Sequence, residues 1–117
     1  MIRLTRIIIV LFAVFFAREA SASAKSTLMN LENARQMAQG SKTVKASRTC
    51  IKGNYAIVYF QDTNIGGTAF YRKAGGRWSF VTGGGGMMDA SSLVAHNVPA
   101  KLAEDLVKLC MESRRPG

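Results

Sequence analysis

Histidine, proline and acidic side chains are all scarce in this chain of 117 residues, and each shortage narrows what it can do. There is a single histidine, His96, and no serine or cysteine is tied to it by spacing. A nucleophile activated by an imidazole therefore lacks its second member. The few carboxylates past residue 24 (Glu32, Asp62, Asp89, Glu104, Asp105 and Glu112) each have a turn, cap or helix-surface explanation. Nothing pairs two of them for general acid–base work. There is no Cys-x-x-Cys and no histidine beside either cysteine, so a redox or thiolate–metal motif is missing as well. No apolar run approaches the ~20 residues that a membrane-spanning helix needs. The composition speaks for a protein that is not an enzyme.

What is present begins with a targeting pattern. Arg3 and Arg6 precede an apolar run of 11 residues, Ile7 to Ala17, and small residues follow at Ala20-Ser21-Ala22-Ser23-Ala24. Residues 1–24 read as a secretory signal peptide with cleavage after Ala24, and residues 25–117 as one small domain. The expected location is periplasmic or secreted, with no stable membrane anchor once the signal is removed. Residues 25–117 carry thirteen lysines and arginines against six carboxylates, a net charge of +7. The cations are scattered, with no dense run, so the charge reads as solvated surface that favours an acidic protein partner over nucleic acid. In an oxidising compartment the two cysteines, Cys50 and Cys110, are expected to form a disulfide.

The middle of the chain carries the architecture. Tyr55–Phe60, Thr68–Lys73 and Arg77–Val81 are rich in β-branched and aromatic residues and are parted by glycine-bearing turns, the pattern of an antiparallel meander. Lys42 to Ile51 alternates loosely and reads as a further strand or edge segment. The Ala74-Gly75-Gly76 hairpin admits several registers: a two-residue turn sets Tyr71 across from Phe80 and Lys73 across from Trp78, and longer loops change both pairings.

Before the sheet, Ser26-Thr27 reads as the cap of a helix that ends near Gln39 and Gly40, with Leu28, Leu31, Ala34 or Arg35, and Ala38 as its apolar face. After the sheet, Asp89 reads as the cap of a short helix to His96, ended by a left-handed Asn97. Pro99 then opens a last helix whose core face is Leu102, Leu106 and Leu109, widened by Ala103, Val107 and Cys110. The expected fold class is α+β: a helix, a three- to four-stranded antiparallel meander, and two C-terminal helices on one face.

Gly83 to Gly86 precede a helix start, as in phosphate-binding loops, yet no GK[ST] follows and Asp89 puts a carboxylate where the phosphate belongs. These glycines read as a flexible turn or a close-approach loop. Met87, Met88 and His96 are soft and imidazole donors suited to copper, the one metal set the residues offer. Counting strands places Gly66-Gly67 beside Gly83–Gly86, with the Lys73–Arg77 turn at the other end. The glycine end, with Asp62, Asn64, Met87 and Met88, is the expected recognition edge, because loops gathered at one end of a rigid sheet are where sites concentrate. Arg72, Lys73 and Arg77 form an alternative basic tip.

Gly53-Asn54-Tyr55-Ala56-Ile57, Gly66-Gly67-Thr68-Ala69, Tyr71-Arg72-Lys73, Gly76-Arg77-Trp78, Val81-Thr82-Gly83-Gly84, Leu93, and Val98-Pro99 with Ala103 and Leu106 make a cadence of short motifs. In it, residues 53 to about 107 resemble small exported bacterial copper-uptake-system-associated proteins. The chain departs from that pattern at Asn54, at Asn97 and at Thr82, which stands near a position where the family has a cysteine. The resemblance implies an accessory role in the periplasm, linked to copper handling, rather than a reaction. An inhibitor or immunity-type protein that docks on an acidic partner enzyme is the alternative expectation.

Overall fold

The computed structural model describes residues 23–63 and 65–112. A first helix, α1, is already under way at residue 23 and runs to 38. Four strands follow, β1 Lys45–Lys52, β2 Tyr55–Gln61, β3 Gly66–Ala74 and β4 Arg77–Gly85, and then the helices α2 Ala90–Ala95 and α3 Ala100–Glu112. The strands form one antiparallel sheet in the order β1-β2-β3-β4, so every connection is a hairpin between neighbours. The α+β meander expected from the residues is the fold. Of the expected signal segment 1–24, only residues 23 and 24 are described, and both lie in α1.

Helices cover both faces of the sheet. On one face Ile57 and Phe70 meet Leu93 of α2, Val98, and Ala103 and Leu106 of α3, with Cys50 and Cys110 in the same cluster. On the other, Ala56, Val58, Phe60, Ala69 and Tyr71 meet Leu28 of α1 and Val44. Alternate residues of β2 therefore enter different cores, and this explains why the strand is apolar on both sides. The Cys50–Cys110 disulfide forms as expected and joins β1 to α3 across 60 positions.

The hairpin register resolves in favour of the two-residue turn. Gly75 and Gly76 both have positive φ, 58° and 78°, the backbone that a turn of this length needs. Lys73 accordingly pairs with Trp78, and Tyr71 with Phe80. A register shift follows: Thr82 stands opposite Phe70, so Val81 is an extra residue on β4.

Four expectations are corrected. Ser26 and Thr27 lie inside α1, exposed, and cap nothing. The face of α1 turned to the sheet is Leu28, Glu32 and Gln36, whereas Leu31 is 38% exposed and Ala34, Met37 and Ala38 face outward. Glu32 is thus a buried residue and not a surface one. On α3 the inward face is Ala103, Leu106 and Cys110, which leaves Leu109 largely exposed. Gly83–Gly85 are not a turn: they are the last residues of β4, paired with Ala69, Thr68 and Gly67.

The glycines at this end are there for space. A Cβ on Gly67 would lie 2.3 Å from the Gly84 carbonyl oxygen and 2.6 Å from the Phe60 ring. One on Gly83 would lie 2.9 Å from the Thr68 oxygen and 3.2 Å from the Phe80 ring. Aromatic rings thus occupy the room that side chains at these two positions would need.

Candidate functional site

The pairing Gly67↔Gly85 puts the two glycine segments side by side at one end of the sheet, and the Gly75-Gly76 turn ends the other. At the glycine end a cleft of about 470 Å³ crosses the strands. Its lining comes from β1 (Ser47, Arg48), β2 (Tyr59, Phe60, Gln61), β3 (Gly66, Gly67) and the chain leaving β4 (Gly86, Met87). That size falls within the range of small-ligand and peptide sites.

Each wall has a physical cause. Ser47 sits at the irregular step between Ala46 and Arg48 in β1, and its hydroxyl donates to the Tyr59 carbonyl at 3.3 Å. The Arg48 guanidinium lies 4.0 Å from the centroid of the Tyr59 ring, a cation–π contact. It also donates to the Cys110 carbonyl at 3.1 Å, where a cation suits the C-terminal turn of α3. Across the cleft the buried Thr68 hydroxyl donates to the Gly86 carbonyl at 3.1 Å and so fixes where β4 ends and Met87 begins. Met87 itself is 49% exposed.

The expected recognition residues divide. Met87 lines the cleft; Met88 is partly buried and packs on the core formed with α2 and α3. Asp62 is used in the β2–β3 connection, where Oδ1 accepts from the Ile65 amide at 2.8 Å and Oδ2 from the Thr43 hydroxyl at 3.0 Å. Asn64 lies outside the described residues. Ser47, Arg48, Tyr59 and Gln61, which line the cleft, were not among the expected site residues, because only the register brings the end of β2 and the start of β1 to the glycines. The signal was there in the alternation of β2, which puts Tyr59 and Gln61 on one face.

The alternative basic tip is broken up. Arg72 donates through Nη2 to the His96 carbonyl and lies against the Tyr55 and Phe70 rings, so it serves the end of α2. Lys73 and Arg77 are exposed, with the Lys73 ammonium 5.8 Å from the Trp78 ring centroid. The copper trio brackets α2, with Met87 and Met88 before it and His96 at its C-terminal cap; the Gly86 carbonyl accepts from the Thr68 hydroxyl and the His96 carbonyl from Arg72. Among the described residues no three His, Cys, Asp or Glu side chains cluster as a metal site.

Asp89 caps α2, its side chain accepting from the Ser92 amide, and that bond holds its carboxyl below the usual carboxylate range. A second hollow, lined by Ala90, Glu104, Val107, Lys108, Met111 and Glu112, mixes charges of both signs and contains none of the expected residues.

No family model matches the chain, and no curated protein or solved structure matches it either. The likeness to copper-uptake-associated proteins thus rests on the quoted motifs alone. What the fold defines is a disulfide-pinned α+β domain with a cleft at the glycine end of its sheet.

Proposed function

We propose that the protein is an exported, non-enzymatic binding module that captures a partner protein at the glycine end of its sheet. The observation that carries this reading is the cleft itself. It combines a fixed cation, Arg48 on Tyr59, with a half-exposed methionine and glycine backbone, and all of it is mounted on rigid strands. The disulfide suits an oxidising compartment, and among the described residues no helix is long and apolar enough to cross a membrane. An accessory role in copper handling, implied by the resemblance, enters here through the partner.

The test is capture from an extracytoplasmic extract by the tagged protein and by Gln61→Trp and Met87→Asp, two exposed positions. Both variants should lose the captured partner while melting at the wild-type temperature. If Lys73→Glu with Arg77→Glu loses it instead, recognition belongs to the basic tip.

A further inference from the structure

We infer that the cleft takes an extended acidic segment of its partner, an inference that rests on the binding-module reading above. The charge pattern is one-sided. Among the described residues that line the cleft Arg48 is the charged one, its guanidinium held by the Tyr59 ring and the Cys110 carbonyl. Lys45 adds a second cation: it pairs with Gln61, so both side chains stand on the same face, and it is exposed. The acid next in the chain, Asp62, has both oxygens engaged by Thr43 and Ile65. With a formal charge of +9 on the whole chain, an anionic occupant is favoured at long range as well as at contact.

The shape selects a strand-like occupant. From β1 across β2 and β3 to residues 86–87 the trough spans about 14 Å at the spacing of sheet strands, the length of about four extended residues. The two ends of such a segment would find different surroundings. Lys45 and Arg48 lie toward the β1 end, while Met87 forms an apolar wall at the far end and Ile65, 57% exposed, adds an apolar contact beside Gly66. An acid toward one end and an apolar residue toward the other is the complement of that arrangement. Ser47 and Gln61 supply polar groups between them.

The experiment is fluorescence anisotropy with the full chain and a labelled peptide with aspartates in one half and leucines in the other, against the same peptide with asparagine for aspartate. Vesicles of phosphatidylglycerol form a second arm. The acidic peptide should bind about fivefold or more tightly than the amide peptide at low salt, with the advantage shrinking as salt screens it. Lys45→Glu, which disturbs no described bond, should remove that advantage, and amide NMR shifts should fall on Ser47, Tyr59, Gln61, Gly66 and Gly86. Equal affinity for the two peptides, or binding to the vesicles in place of the peptide, overturns the acidic-segment assignment. If that happens while Gln61→Trp and Met87→Asp still abolish capture, the cleft remains the binding site and only its ligand class is wrong. Shifts confined to Lys73–Arg77 would remove both.

Discussion

The phenol of Tyr71 donates a 2.8 Å hydrogen bond to Oε1 of Glu32, joining β3 to α1 across 39 positions of the chain. The Glu32 carboxylate is fully buried and receives three further bonds: Arg35 Nε to Oε1 at 2.8 Å, Arg35 Nη2 to Oε2 at 2.7 Å, and Gln36 Nε2 to Oε2 at 2.7 Å. Four donors on two oxygens satisfy a charge that would otherwise be very costly to bury. The Arg35 guanidinium in turn lies 4.1 Å from the Phe80 ring centroid, and Phe80 meets Tyr71 edge-on. This network sets the position of α1 over β3 and β4.

Removing single members should therefore be expensive. Tyr71→Phe should lower stability by about 1–3 kcal/mol, since it leaves a buried carboxylate one donor short. Arg35→Ala, which strips the charge partner, should cost about 3–5 kcal/mol. Urea unfolding of the purified protein reads both. A Tyr71→Phe variant as stable as wild type would mean that the carboxylate does not depend on the phenol.

The same bond gives a pH signature. Burial first, then the adjacent Glu32 carboxylate, raises the pKa of Tyr71 far above its ordinary value. In the unfolded chain the phenol ionises near pH ~10. Above that pH the unfolded state holds fewer protons than the folded state, so stability falls as pH rises, by about 1.4 kcal/mol per pH unit for this one group. Below the unfolded-state pKa the contribution is complete. Stability measured from pH 8 to 11 should drop more steeply for wild type than for Tyr71→Phe; parallel curves would contradict the assignment.

The sheet was legible in the residues because β-branched and aromatic runs and glycine turns are local signals. The Gly75-Gly76 turn also matched its simplest register. The rotation of α1 was not legible. Leu31, Ala34 and Ala38 keep helical spacing, and apolar periodicity points them inward. Yet the neighbouring strand presents a tyrosine hydroxyl, and the helix turns its glutamate and glutamine toward it, about 100° around the axis. That preference comes from a residue 39 positions away, which no local window contains. The glycines were legible only in part, as a turn or a close approach, for a related reason. Runs of glycine usually mean a turn, whereas Gly67 and Gly83 lie in strands whose spare room is taken by the rings of Phe60 and Phe80. The cleft residues Ser47, Arg48 and Gln61 needed the register before they could be assembled at all.

Those rings make the glycines unequal. Gly67→Ala would press a methyl group into the Gly84 backbone oxygen at 2.3 Å, and backbone in a paired strand cannot step aside cheaply. It should cost about 1–3 kcal/mol or more. Gly84→Ala meets nothing within 4 Å and has no positive φ, so it should be neutral, or stabilise the fold by about 0.5 kcal/mol through the unfolded chain. Thermal melts of the two variants decide it, and equal destabilisation would refute the close approach at Gly67.

The disulfide supplies a fourth check on stability. Closing a loop of 60 residues should stabilise the fold by about 4 kcal/mol on the loop-entropy argument. Alkylation of the denatured, unreduced protein should label neither Cys50 nor Cys110. Replacing both with alanine should lower the melting temperature and loosen α3 from β1, because Arg48 to the Cys110 carbonyl would be left as a polar tie at that point. Full labelling of both thiols would remove the staple.

The copper association can be separated from copper ligation. Met88 is partly buried among the apolar side chains of the core under α2 and α3, while Met87 is exposed and His96 half-buried. Their backbones are held at opposite ends of α2, one by Thr68 through Gly86 and the other by Arg72. Ligands to one ion must converge, and thioether with imidazole would otherwise suit Cu(I). Titration with Cu(I) and Cu(II) should therefore show no site in the micromolar range that His96→Ala and Met87→Ala both abolish. The Met87→Ala protein should instead lose partner capture at the cleft while His96→Ala keeps it. Tight copper binding that either substitution destroys would show that the chain rearranges around the metal, and would make the resemblance to copper-associated proteins a matter of direct ligands after all.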